Sequence, residues 1–300
     1  MLVLGFDGGG SNARLALATS DGETILEARA GGVNPMDNAE WRANFEVLFA
    51  KVGERMDQVC TAVLGLPGWG EIPDLDREVA AWLKERLPCE PLMLNDVELA
   101  QRAAFDDAPG VLLLSGTGSM AVARDPAGTM LRAGGFGDLI GDEGSAFDIG
   151  RSALARLSHE TDGRAPASPF GARMKDHLRF EQTNETQAIM GWLYASPHPR
   201  SAIAAIAAFV DSLSEEGDPV ARAILEDAGY SVARLYHAMV QRACLTDMAW
   251  SYAGSTFRSS TFRSAVQAEI GHAPTAPSND ALNGALRIAA RKSGISTKPS

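Results

Sequence analysis

A pattern of strand, glycine loop, strand, turn and strand occurs twice in this chain, and few architectures accommodate such a repeat. Met1 to Phe6 is a short apolar run, broken by Asp7-Gly8-Gly9-Gly10-Ser11. Arg14 to Ala18 and Thr24 to Ala30 read as two further strands, joined at Asp21-Gly22, a strong hairpin signal. The pattern restarts at Val111 to Leu114, is broken by Ser115-Gly116-Thr117-Gly118-Ser119, and continues through Met120 to Arg124 and Thr129 to Ala133. The two segments are not closely similar in sequence, so the duplication is one of architecture. Two such units face to face would create a cleft with a glycine loop from each side.

Between the repeats, helical spacing of Trp41, Phe45, Leu48 and Phe49 predicts a helix from Ala39 to about Met56. A strand from Thr61 to Leu66, a helix from Asp74 to Leu87, a strand from Pro91 to Asn95 and a helix from Val97 to Phe105 follow. The second half reads as mostly helical from Ser145 to about Cys244, with a late strand from Met248 to Ala253 running into Gly254-Ser255-Thr256. A final helix is expected from about Asp280, and Gly294 to Ser300 reads as a loose tail.

Three hundred residues suit two domains. The formal net charge of -11 sets most of the surface against nucleic acid and anionic membrane, and no basic run offsets it. Acidity does not exclude a phosphate ligand, because backbone N–H groups bind phosphate without basic side chains. The three cysteines, Cys60, Cys89 and Cys244, are far apart and suit a reducing compartment better than a disulfide framework or a zinc site. The opening MLVLGFDGGG reads as a strand rather than a signal peptide, and a cytoplasmic location is expected. No apolar run is long enough to span a bilayer.

The glycine-rich loops are the first candidates for chemistry. Gly8, Gly9 and Gly10 let the backbone approach a phosphate closely and permit positive φ, and Ser11 adds a hydroxyl. Asp7, at the strand end, suits a hydrated Mg²⁺, which takes one or two carboxylates and keeps waters. Gly116, Thr117, Gly118 and Ser119 offer donors without bulk. Each loop alone also reads as a tight turn. Asp96 follows a strand and opens a helix, so it reads either as an N-cap or as a general base for a hydroxyl attacking a γ-phosphorus. The densest motif runs from Gly134 to Ser145, with Gly135, Phe136, Gly137, Asp138, Leu139, Asp142 and Glu143 ahead of a helix start. Its carboxylates suit vicinal sugar hydroxyls, or complement a helix dipole. Asn34, in Gly31-Gly32-Val33-Asn34-Pro35, reads as a turn residue or a polar substrate contact.

Asp7-Gly8-Gly9-Gly10-Ser11, LNDVELA around Asp96, LLLSGTGS and above all GDLIGDEGSAFDIGRSAL resemble the N-acetylglucosamine kinases of the BadF/BadG/BcrA/BcrD group, within the sugar kinase, Hsp70 and actin superfamily. The resemblance runs to about residue 155 and resumes at YAGSTFRS and PSNDALNGALRIA. It implies an α/β fold of two ribonuclease-H-like (actin-like ATPase) domains with a nucleotide and sugar cleft between them. The first lobe would span 1–109, with the final helix at about 280–296 packing back on it; the second would span 110–279 and carry a helical insertion. ATP and Mg²⁺ are the implied cofactors. Ser11 and Thr117 would line the phosphates, Asp7 would serve the metal, and Gly254 and Ser255 would meet the nucleotide. Asp96 would be the base for the 6-hydroxyl of the amino sugar, contacted by Asn34, Ser119, residues Phe136 to Leu139 and Asp142. A homodimer is also implied.

Three features depart from the common pattern of that group: Ser11 for threonine, Phe136 for tryptophan, and Asp148 where an aromatic is more usual. Glucosamine is the alternative sugar. Two other classes compete. An activator ATPase of the same group needs cysteines for an iron–sulfur cluster, and none sits near a glycine loop. A DNA-binding sugar sensor would need a helix-turn-helix, and none precedes the first strand.

Overall fold

The structure is a computed structural model and describes residues 1–180 and 184–294. The chain divides into two compact units. One comprises Met1–Gly110, Pro126–Met130 and the stretch from Ala276; the other comprises Val111–Asp125 and Leu131–Thr275.

In the first unit β1 (Leu2–Gly8), β2 (Asn12–Thr19) and β3 (Thr24–Gly31) form the antiparallel meander. After α1 (Trp41–Val52), β4 (Val59–Leu66) pairs parallel with β1. After α2 (Pro73–Lys84), β5 (Leu92–Asn95) pairs parallel with β4 and leads into α3 (Asp96–Ala104). The sheet order is β3-β2-β1-β4-β5.

The alternation along β1 explains its burial on both faces. Leu2, Leu4 and Phe6 join Phe45 and Leu48 of α1 and Leu83 of α2 in one core cluster. Val3 points the other way, into a cluster with Leu99 of α3. Helix α1 ends sooner than its periodicity suggests. Gly53, at φ 58°, closes it, and a 3-10 helix spans Gly53–Gln58.

The second unit repeats the plan. β6 (Gly110–Ser115), β7 (Ser119–Arg124) and β8 (Met130–Gly134) precede a helical stretch. That stretch is α4 (Ala146–Thr161), α5 (Pro169–Leu178), α6 (Glu185–Ala195), α7 (Pro199–Glu215) and α8 (Pro219–Arg242). β9 (Trp250–Ala253) then pairs parallel with β6, giving the order β8-β7-β6-β9. This is the first sheet's order without its last strand.

Helix α9 (Ser260–Ile270) is not anticipated above. Ser259 caps it, accepting from the Phe262 N–H at 3.2 Å, and Phe262, Val266 and Ile270 are buried. Proximity to the Gly254 turn hides its short apolar stripe in the sequence.

The chain ends its described course in the first unit with α10 (Ala281–Lys292). Leu282, Ala285, Leu286, Ile288 and Ala289 pack with Val3, Ala16, Ala18, Val63 and Leu94. The approach is close: a Cβ at Gly5 would lie 2.9 Å from Leu286 Cγ. Residues 295 and 296 of the expected final helix, and most of the expected tail, lie outside the described residues. Among the described residues no helix is long and apolar enough to cross a membrane.

Candidate active site

The first unit gathers its candidates at the carboxyl ends of its parallel strands, where α/β sheets place ligands. Asp7 pairs in register with Gly65, and Leu66 with Asn95, so Asp7 and the β5–α3 junction share one sheet edge. Asn95, not Asp96, is the N-cap of α3. Its Oδ1 accepts from the Val97 N–H at 3.1 Å, while Asp96 is the first helical residue and accepts from the same N–H at 2.9 Å. Burial pushes the Asp96 carboxyl up to about 6, and the charges of Asp7 and Glu71 push in the same direction.

Asp7 is held by its cross-strand partner. Arg14 donates to Asp7 Oδ2 from Nη2 at 2.7 Å and from Nε at 3.1 Å, and donates to Asp280 at 3.1 Å. A pocket of about 310 Å³ beside the glycine loop is lined by Asp7, Gly9, Arg14 and Arg29. Both arginines are absent from the candidates above. Alternation along β2 and β3 marks them only as solvent-facing.

Gly8 and Gly9 of the first loop serve close approach rather than positive φ. A Cβ on Gly8 would lie 2.8 Å from the Phe6 ring and from Val33. The Gly9 N–H donates to the Asn12 carbonyl at 2.9 Å, and the Val33 N–H donates to the Gly9 carbonyl at 3.1 Å. Gly10 and Ser11 are exposed at the tip. Asn34 follows this seam. Its Oδ1 accepts from the Met36 N–H at 3.1 Å and lies beside Gly68. Asn95 Nδ2 ties the same turn down through the Trp69 carbonyl at 2.9 Å. Asp7, the glycine loop, Asn34 and Asp96 are thus brought into one region of the first unit.

In the second unit, three predicted segments converge. The loop after β6 closes with Gly116 N–H to the Gly118 carbonyl at 2.9 Å. Ser115 Oγ donates to the Gly144 carbonyl at 2.9 Å, and Ser119 Oγ to the Glu143 carbonyl at 2.7 Å. Thr256 Oγ1 donates to the Ser115 carbonyl at 2.9 Å. Gly254 is obligatory there: its φ is 111°, and a Cβ would sit 1.9 Å from the Ser115 oxygen. Ser255 opens a 3-10 helix, Ser255–Arg258, at that seam.

Asp142 sits at φ 62° with its side chain only 3% exposed. Its Oδ1 accepts from the Ser119 N–H at 3.1 Å, and its Oδ2 pairs with Arg200 Nη2 at 2.5 Å. Arg200 Nε also reaches Asp138 at 3.2 Å. Arg200 is another residue missing from the candidates, because nothing local to the helical stretch marks it. Asp148 finds a simple use. Ser145 Oγ accepts from the Asp148 N–H at 3.1 Å, and Asp148 Oδ2 accepts from the Gly144 N–H at 2.9 Å, so two bonds tie down the start of α4. Between β8 and Gly141 the chain presents apolar groups to solvent: Phe136 is 71% exposed and Leu139 94%. Gly135 and Gly137 shape that segment at φ 73° and 82°.

Comparison with known proteins agrees with this architecture. The family model described as the BadF/BadG/BcrA/BcrD ATPase family matches residues 4–289. The N-acetylmuramic acid/N-acetylglucosamine kinase of Clostridium acetobutylicum is 27% identical over 80% of this chain and 79% of its own. The N-acetyl-D-glucosamine kinase of Dictyostelium discoideum is 23% identical over 80% of each. Among solved structures, a putative N-acetylglucosamine kinase from Chromobacterium violaceum superposes with a TM-score of 0.75 at 24% identity, covering 95% of this chain and 97% of that one. That likeness carries the fold.

Proposed function

The chain belongs to the BadF/BadG/BcrA/BcrD ATPase family, and from that premise we propose that it is an ATP-dependent amino-sugar kinase acting on the 6-hydroxyl of N-acetylglucosamine. Two relatives are named as kinases of that sugar, which supports the substrate class. The observation that carries the chemistry is Asp96, a carboxyl pushed up to about 6 beside Asp7 at the carboxyl edge of the sheet. A base poised near neutrality accepts the hydroxyl proton as the oxygen reaches phosphorus, and is ionised at pH 7.

Positioning and charge stabilisation supply most of the rate in phosphoryl transfer. Gly8 to Ser11 and Gly116 to Gly118 serve the phosphates through backbone donors and hydroxyls, with Arg14 and Arg29 adding positive charge. Gly254 and Ser255 meet the nucleoside. Asn34, Ser119, Phe136, Asp138 and Leu139 contact the sugar. Asp142 shapes that contact surface through Ser119 and Arg200.

The donor set suits a hydrated Mg²⁺. Arg14 bonds to Oδ2 of Asp7, and one carboxylate acting through water is a donor set that a hydrated Mg²⁺ accepts. Bound there, the ion would neutralise charge on the β- and γ-phosphates.

Asp96→Asn tests the reading. Phosphorylation of N-acetylglucosamine should fall by about a thousandfold or more while sugar binding persists, matching the loss of a general base. Turnover near the wild-type rate would reduce Asp96 to a helix-start residue.

A further inference from the structure

A second cavity lies wholly within the second unit, has a volume of about 300 Å³, and presents an alanine face. Ala204, Ala207 and Ala208 of α7 form one wall, with Ser255 and Arg258 at its rim. Small side chains on that wall leave a mostly apolar slot with room for an aromatic base.

One end of the slot adjoins the second glycine loop. Ala146 donates its N–H to the Gly116 carbonyl at 2.7 Å, and Ala146 clusters with Ile203 and Ala204 at the start of α7. Thr256 holds Ser255 at the same end through Ser115. Asp211 lies two turns further along the same face, about 10 Å beyond Ala204 at 1.5 Å per residue. Its Oδ1 is shielded from solvent with no hydrogen-bond partner among the described residues. Arg258 lines the cavity without pairing to it. A shielded, unpartnered carboxylate oxygen is costly, and its place in a cavity wall gives it a use.

We propose that Asp211 reads the base of the bound nucleotide, accepting a hydrogen bond from the exocyclic amino group of adenine at the far end of this slot. The spacing selects the base over the ribose. With phosphates at the glycine loop, the sugar of the nucleotide lies close to Ser255, and only the base reaches about 10 Å along α7. A carboxylate has no donor, so it favours a base edge that offers N–H and disfavours one that does not. This inference rests on the reading that the protein uses ATP, and adds the residue that selects the base.

The test is calorimetric binding, without sugar, of ATP, of purine riboside triphosphate (which lacks the amino group) and of 2′-deoxy-ATP. Wild-type protein should prefer ATP over purine riboside triphosphate by about tenfold, the value of one hydrogen bond to a charged group, and bind 2′-deoxy-ATP like ATP. Asp211→Ala should lose that preference through weaker ATP binding alone. Asp211→Asn, which keeps an acceptor oxygen, should retain part of it. Neither variant should melt below wild type without nucleotide. Equal weakening of all three nucleotides, or a lost preference that tracks the ribose hydroxyl, overturns the assignment, as does a wild type that does not discriminate. Wild-type protein that shows the preference yet phosphorylates no amino sugar would instead sink the kinase reading and leave Asp211 standing.

Discussion

Asp96 is costly to the fold in the state its chemistry needs. Its carboxyl ionises at about 6 in the folded protein, against 3.8 for the free side chain. The folded state therefore holds the proton more tightly than the unfolded state. That contribution to stability is present below pH 4 and is lost as pH rises through 6. Above pH 7 the penalty is about 3 kcal/mol, from roughly two pKa units. Asp96→Asn removes the charge and keeps an oxygen for the Val97 N–H. It should melt higher than wild type at pH 8, with the gap shrinking to about a third by pH 4.5. Equal melting temperatures at both pH values would contradict the burial account. The same ionisation should appear in the kinetics. Sugar kcat/KM should rise with pH through a midpoint near 6 and then level, and a profile flat from pH 5 to 8 would assign the proton transfer elsewhere. Asp96 was legible in the sequence as a base or a cap; the cap turns out to be its neighbour Asn95. Arg14, Arg29, Arg200 and Asp211 were not: strand alternation marks Arg14 and Arg29 only as solvent-facing, Arg200 meets Asp142 from 58 residues away, and Asp211 is set apart only by the cavity it lines.

Among the elements, the capped start of α4 holds the acidic motif in place. Ser145 Oγ accepts from the Asp148 N–H, the Asp148 carboxylate accepts from the Gly144 N–H, and Gly144, at φ 74°, packs under the Ala228 carbonyl of α8. Ser145→Ala should cost about 1 kcal/mol, the usual value of a lost N-cap, and should weaken sugar use more than nucleotide binding. Urea denaturation together with separate KM values for sugar and ATP checks both parts. Unchanged stability would mean the cap is redundant. The strands and glycine loops of both units were readable because apolar runs and glycine clusters are local signals. Helix α9 was not, since its stripe of Phe262, Val266 and Ile270 spans only three turns behind the Gly254 turn. The exact end of α1 was hidden for a related reason: its apolar spacing continues past Gly53, whose conformation stops the helix.

For the molecule as a whole, the C-terminal segment completes the first unit. Helix α10 covers Val3, Ala16, Ala18, Val63 and Leu94 with Leu282, Leu286 and Ile288. Burial of those three large side chains contributes roughly 5 kcal/mol or more, against about 5–15 kcal/mol of total stability for a typical domain. A chain ending before Asp280 should be insoluble or bind a hydrophobic dye strongly. A truncated protein with native near-UV circular dichroism would show that the first sheet stands without α10. The repeat of sheet order, β3-β2-β1-β4 against β8-β7-β6-β9, follows from the duplicated strand–loop–strand pattern. The family match over residues 4–289 agrees with it.

The most direct test of phosphoryl transfer to an amino sugar incubates the full chain with ATP, Mg²⁺ and a panel of amino sugars and hexoses, follows ADP release, and identifies the product by mass spectrometry and phosphorus NMR. An N-acetylglucosamine kinase should release ADP only when that sugar is present and yield N-acetylglucosamine 6-phosphate. ADP release that no sugar stimulates, with no phosphorylated sugar formed, would contradict that assignment.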